Sequence, residues 1–397
     1  MIFWMTGLVI FGALVGALTL RLAKRSGFGT DEAHGVQKMH RHWVPRLGGI
    51  PVFATFVVGC LLWERLGFLG HYSAEALILC ALPVFMVGLW EDLSRRSGIT
   101  PRLLVTMFAA GLAWYFMDGQ LRRLDIPAID TLLVQFSLVS LLLTAVAVAG
   151  VVHAVNIIDG YNGLCGFFAL FAFGAISAVA ALHEDLALQQ AALIVMLGLV
   201  GFLFWNYPFG RLFLGDAGAY FIGFLLAEFS ILLVSRNPAV SPWCALLINI
   251  YPIWETLFSM LRRARAGGFR QMGQADARHL HHLIHRRLVK SWQYRGGHRT
   301  TVFNNAMTTP YLLVLVLMSA VPAVLFANRP AVLFGFCLLF AVTYMLFYRM
   351  IVRLRVPRWM VIRPLAQWVR AHRLWLRIKP AGVLESTQAT SPVNIEP

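Results

Sequence analysis

The segment Leu214-Gly215-Asp216-Ala217-Gly218 sets one carboxylate between two glycines. Small residues let a ligand come close to the backbone. A hard carboxylate is the expected single protein ligand for a Mg²⁺ that keeps its waters and bridges phosphates. The same Asp would also serve to cap free N–H groups at a helix start. In Asn156-Ile-Ile-Asp159-Gly-Tyr-Asn162-Gly163, polar groups recur every third residue among glycines, a spacing that one helical turn or a tight loop presents together. Such Asn and Asp groups can read the edge of a base such as uracil, or they can satisfy the backbone of a glycine-rich connection. Glu91-Asp92, followed by Arg95 and Arg96, can hold a metal or accept a proton, or form solvated pairs with the arginines.

His279, His281, His282 and His285 crowd a basic stretch. Neutral histidines bind transition metals, but no Cys lies nearby and Arg278, Arg286 and Arg287 would repel a second cation, so phosphate contact is the better fit. Asp31, Lys38, His40, Arg41, Arg46, Gly48 and Gly49 form a further cluster. Its basic members stand where an anionic lipid headgroup could be received.

These clusters interrupt a chain of 397 residues that is 59% hydrophobic and only 13% charged, too apolar for an ordinary soluble domain. The fold class predicted is all-α and polytopic, with about eleven transmembrane helices near 2–20, 48–66, 76–93, 103–118, 131–152, 163–182, 188–206, 213–235, 240–261, 309–327 and 331–350. The first run lacks a positive n-region and reads as a retained span. With the N-terminus outside, all but five of the 34 Lys and Arg residues fall in cytoplasmic segments; the exceptions are Arg65, Arg122, Arg123, Arg236 and Arg329. That asymmetry fixes the expected orientation, N-terminus periplasmic and C-terminus cytoplasmic. It also accounts for the +16 net charge without nucleic acid. The polar clusters all fall on the cytoplasmic side, where they are costly unless used or paired. A transmembrane catalytic domain is expected over 1–350, a basic interfacial helix over 351–380 and a disordered tail over 381–397. The five cysteines have no CxxC spacing and read as packing residues.

Taken in order, the clusters resemble the polyprenyl-phosphate N-acetylhexosamine-1-phosphate transferase family, glycosyltransferase family 4. The matching segments are Lys38-Met-His40 through Pro45-Arg-Leu-Gly-Gly49, Glu91-Asp92, Asn156 to Leu164, Asn206 with Phe213 to Gly218, and His279-Leu-His281-His282-Leu283. The HxHH form resembles the N-acetylhexosamine branch, and not the three consecutive histidines of the phospho-MurNAc-pentapeptide translocase branch. Two departures stand out: the usual Asp-Asp pair is Glu91-Asp92, and Asn162 replaces an acid.

The resemblance implies a bacterial inner-membrane enzyme, active site facing the cytoplasm, that moves a HexNAc-1-phosphate from a UDP-N-acetylhexosamine to undecaprenyl phosphate and releases UMP. GlcNAc is the first candidate sugar, O-antigen or capsule is the type of product, and a homodimer is allowed. It implies Asp216 as the Mg²⁺ ligand, with Mn²⁺ as the alternative ion and Asp92 as a second metal contact. Asn156 and Asp159 are implied at the uridine nucleotide, and Lys38, His279, His281 and His282 at phosphates. Glu91 and Asp92 are implied beside the lipid phosphate, with Asp92 as candidate base. His40, Asn162 and Asn206 complete the implied substrate-binding set. The rival reading is a secondary transporter for an organic anion, which should place polar residues near the bilayer midplane.

Overall fold

The computed structural model describes residues 2–27, 30–31, 44–68, 73–95, 98–267, 278–289 and 305–357. Long apolar runs with few interior charges become helices, as a hydrocarbon surrounding demands of any backbone that crosses it. In chain order these are α1 (Ile2–Ser26), α2 (Gly49–Arg65), α3 (Ala74–Ser94), α4 (Ile99–Phe116), α5 (Pro127–Gln135), α6 (Ser137–Ile158), α7 (Leu164–Leu182), α8 (Leu186–Asn206) and α9 (Gly215–Arg236). They continue with α10 (Pro242–Ile248), α11 (Ile250–Gly267), α12 (Leu280–Ile284), α13 (Thr308–Leu325) and α14 (Pro330–Val352). The only extended pairing among the described residues is a two-residue antiparallel ladder, β1 (Thr30–Asp31) with β2 (Val44–Pro45).

Nine of these helices are long and apolar enough to cross a membrane, and a tenth span is formed if the bent pair α10–α11 is counted as one. With α2, at 17 residues, every predicted span has a helical counterpart. The chain is a multi-pass, all-α membrane protein. Two boundaries differ from expectation. The run predicted as one span over 240–261 is two helices at 74°, broken at Asn249, whose side chain donates to Ser230 Oγ at 2.8 Å and to the Ala245 carbonyl at 2.9 Å. The span expected over 131–152 starts six residues later as α6, because Phe136 turns extended and splits off α5. The predicted interfacial helix and tail lie outside the described residues from 358 onward.

The hub is α9: 94% of its membrane-length window is buried, against 22% for α1 and α4. Its chief neighbours are α3 and α6. Phe221 of α9 meets the edge of Phe53 (α2), which stacks on Phe85 (α3) at 4.1 Å. At the start of α9, Gly49 of α2 lies so close that a side chain there would overlap the backbone of Gly218. These contacts bring one end of the bundle to a point. The starts of α2, α4, α7, α9 and α13 and the ends of α3, α6 and α8 share that face.

Candidate active site

An α-helix begins with backbone N–H groups that lack partners. At α9 these are met from another helix: Asp92, four per cent exposed near the end of α3, accepts the Asp216 N–H at 2.9 Å on one oxygen and the Ala217 N–H at 2.8 Å on the other. The segment before α2 runs alongside, with the Gly48 and Gly49 N–H groups donating to the Phe213 and Leu214 carbonyls at 2.8 Å. Gly215 has φ +76°, and a side chain on it would collide with the Arg46 carbonyl and the Asp92 carboxylate. Only glycine fits this turn.

The result is a fixed Asp216. Its Oδ1 accepts from Asn156 Nδ2 at 2.9 Å and from Arg46 at 3.3 Å, and its Oδ2 accepts from Arg102 at 3.0 Å. The Arg46 Nε also lies 3.8 Å from Asp92. Arg102 covers the Tyr220 ring at 5.7 Å, and His153 meets the same ring at 5.4 Å. Asp159, half-buried just past α6, is pushed up to about 7 by burial, with Arg46 pulling it down, Asp216 pushing it up and the Gly215 N–H opposing. Hard carboxylate oxygens on Asp216 and Asp159 suit a Mg²⁺ that takes one or two protein ligands and relies on phosphates and water for the rest. Among the described residues, no three His, Cys, Asp or Glu side chains form a closed metal cage.

Two asparagines expected among the substrate contacts brace the loop. Asn162, one per cent exposed, takes Asn305 Oδ1 on its backbone N–H at 2.7 Å, donates from its side chain to the Pro208 carbonyl at 3.2 Å and accepts Thr309 Oγ1 on its carbonyl at 2.6 Å. Asn206 accepts the Gly163 N–H at 2.6 Å and donates to the Leu212 carbonyl at 2.8 Å.

The histidine segment is α12 with its lead-in residue and a following π-helical turn, His285–Val289. His279 donates from Nδ1 to Glu255 at 2.9 Å. His282 Nδ1 lies 2.9 Å from the Tyr161 hydroxyl, and His285 Nδ1 lies 3.3 Å from Thr308 Oγ1. The His281 ring stacks on His279 with 7° between planes. Burial first, then the neighbouring His282 and His279, hold the basicity of His281 well below the usual imidazole range. Tyr161, from the same loop as Asp159, touches the rings of His281, His282 and His285.

Asp92, Asn156, Asp159 and Asp216 therefore meet, and the histidines reach them through Tyr161. Glu91 is half-buried near the end of α3. Lys38 and His40 lie outside the described residues. Arg102, Tyr161, Tyr220 and Glu255 are members that the sequence reading passed over. For Glu255 a signal existed, since a lone carboxylate inside an apolar run is costly unless it is used.

Residues 74–234 match the family model described as glycosyl transferase family 4. Over that stretch the chain is similar to that family. It is 25% identical over 251 residues to the probable undecaprenyl-phosphate N-acetylglucosaminyl 1-phosphate transferase of Bacillus subtilis, covering 62% of this chain and 67% of that protein. It is 28% identical over 284 residues to the decaprenyl-phosphate N-acetylglucosaminephosphotransferase of Mycobacterium tuberculosis (62% and 68%). It is also 26% identical over 246 residues to the phospho-N-acetylmuramoyl-pentapeptide-transferase of Streptococcus thermophilus (59% and 71%). The family 4 match takes in Asp92, Arg102, Asn156, Asp159, Asn206 and Asp216 but stops short of Arg46, Glu255 and the histidines, which complete the same cluster in space.

Proposed function

We propose that this chain transfers a HexNAc-1-phosphate, first of all GlcNAc-1-phosphate, from a UDP-sugar to undecaprenyl phosphate at the cytoplasmic face of a bacterial inner membrane. Such a step would begin a cell-envelope polysaccharide of the O-antigen or capsule type. The observation that carries this reading is the Asp216 carboxylate held between Arg46, Arg102 and Asn156 at the start of the most buried helix, in a chain related to polyprenyl-phosphate sugar-phosphate transferases. The positive-inside charge bias favours this face as cytoplasmic, with the N-terminus periplasmic and the C-terminus cytoplasmic.

In the proposed reaction an oxygen of the lipid phosphate attacks the β-phosphorus of the UDP-sugar. The bond from that phosphorus to the bridging oxygen breaks, and UMP leaves with the electron pair. Two anions must meet, so neutralising charge is the central task. Arg46 and Arg102 supply fixed positive charge at the start of α9. Mg²⁺ carried by Asp216 with Asp159 would offset phosphate charge and stabilise the leaving UMP. Asn156 holds Asp216 in place, and the Asp159 loop with the histidine segment fits the nucleotide.

For Asp92 the geometry favours anchoring α9 over acting as base, since each oxygen already accepts a backbone N–H. A lipid phosphate with a second pKa near about 6 is largely dianionic at neutral pH and needs no base to attack. The transporter reading draws no support, because Asp92, Asn156, Asp159 and Asp216 gather at helix ends. The test is UMP release by purified protein given UDP-GlcNAc, undecaprenyl phosphate and Mg²⁺ or Mn²⁺. Lipid- and metal-dependent release is expected, and silence across a panel of UDP-HexNAc donors in folded protein would overturn the reading.

A further inference from the structure

Glu255 lies on α11, six residues past the break at Asn249, and is one per cent exposed. A carboxylate buried inside an apolar bundle is costly unless it is paired. Its Oε1 accepts two donors at 2.9 Å: Nδ1–H of His279 and the backbone N–H of Leu280, the first residue of α12. Tyr251 of α11 and Tyr344 of α14 face the same carboxylate. One oxygen thus fixes both the entry of α12 and the ring of the histidine before it. With the proton on Nδ1, the Nε2 of His279 is the ring's acceptor. The His279 ring is also the platform for His281, whose Nε2 comes within 3.9 Å of where a side-chain carbon on Gly160 would stand. The line from Glu255 through two stacked imidazoles therefore ends at the loop that carries Asp159.

We infer that Glu255 is a positioning residue for the donor nucleotide: acting through His279, it seats the histidine stack against the Asp159–Gly160 loop, where the UDP half of the sugar nucleotide is gripped. The inference rests on the UDP-sugar reading above. Glu255 touches no reacting atom, and its effect belongs to the binding of one substrate and not of the other.

A double-mutant cycle on the full-length chain tests this, reading UMP release at varied UDP-GlcNAc and at varied undecaprenyl phosphate. Glu255→Ala is expected to raise the donor KM roughly tenfold and leave the acceptor KM within about twofold. Glu255→Gln, whose amide oxygen can accept from both N–H groups, should recover most of that loss. His279→Ala should cost about as much as Glu255→Ala, and the double variant no more than either. Should Glu255→Ala fail to fold, Glu255→Asp, drawn back by one methylene, takes its place with the same expectations. The inference is overturned if the Glu255 loss is undiminished in the His279→Ala background, if both substrate KM values rise together, or if Glu255→Gln is as impaired as Glu255→Ala. Absence of UMP release in the wild type would strike the functional reading instead, so the two failures are distinguishable.

Discussion

The two ends of the bundle each hold a buried carboxylate against an arginine, and the two are built differently. At the end opposite the proposed site, Asp185 caps its own helix, accepting the Leu188 N–H at 3.2 Å, and takes a two-pronged contact from Arg236 at 2.8 and 3.0 Å with Asn237 at 3.3 Å. Its acceptors are filled by the adjoining ends of α8 and α9. Asp216 is gripped by the segment before α2, by α4 and by α6, and the cap of its helix comes from α3. A closed pair such as Asp185–Arg236 is a fastening. A carboxylate on which several elements converge, with two guanidinium groups at one site, is poised to exchange those partners for a polyanion and its cation.

That contrast is sharpest at Asp216 itself. Asp216→Ala is expected to cut UMP release by at least about 10³-fold, measured at saturating substrates on protein whose thermal midpoint is unchanged. Retention of turnover would erase the distinction between the two ends. Next in size, Arg102→Ala should lower kcat by about 10²-fold, and Arg102→Lys should recover only part of it, because an ammonium cannot reach Asp216 and the Gly98 carbonyl from one planar group as Arg102 does. Steady-state kinetics on both variants check this. Asp92→Asn keeps one acceptor oxygen of two. A loss of roughly tenfold in activity is expected, together with about 1 kcal/mol of stability, seen as a lower thermal midpoint in detergent. An activity loss near that of Asp216→Ala without any change in midpoint would instead favour Asp92 as a reacting group. Smallest in turnover is Asp185→Ala, expected to stay within about twofold in kcat while costing on the order of 3 kcal/mol of stability. A large kcat effect there would show that the ends are not so different.

The sequence made the helices legible because each apolar run is bounded by charge or glycine. It did not show the break at Asn249, since that residue lies in an apolar run and its use appears only when Ser230 of α9 comes beside it. Nor did it show the late start of α6, where apolar residues run on without a marker across Phe136. Asp216, Asn156 and Asp159 stood out through their glycine neighbours at span ends. Arg102 did not, because positive charge at a span end expected to face the cytoplasm already has a topological explanation. The direction in which Asn162 and Asn206 point is decided by Asn305, Thr309 and the 207–212 turn, partners whose nearness no local spacing reveals.

The cap that Asp92 gives to α9 ties together residues 124 apart in the chain, and the Arg46 contact to Asp216 reaches across 170. The proposed centre therefore has a birth order. While the chain is being threaded into the bilayer, the first eight helices can be in place with Asp92 capping nothing and Arg46 without Asp216. The arrival of the ninth helix supplies both at once. Chains released early would be inert, and activity would still await α11 and α12, which carry Glu255 and the histidines to the same site.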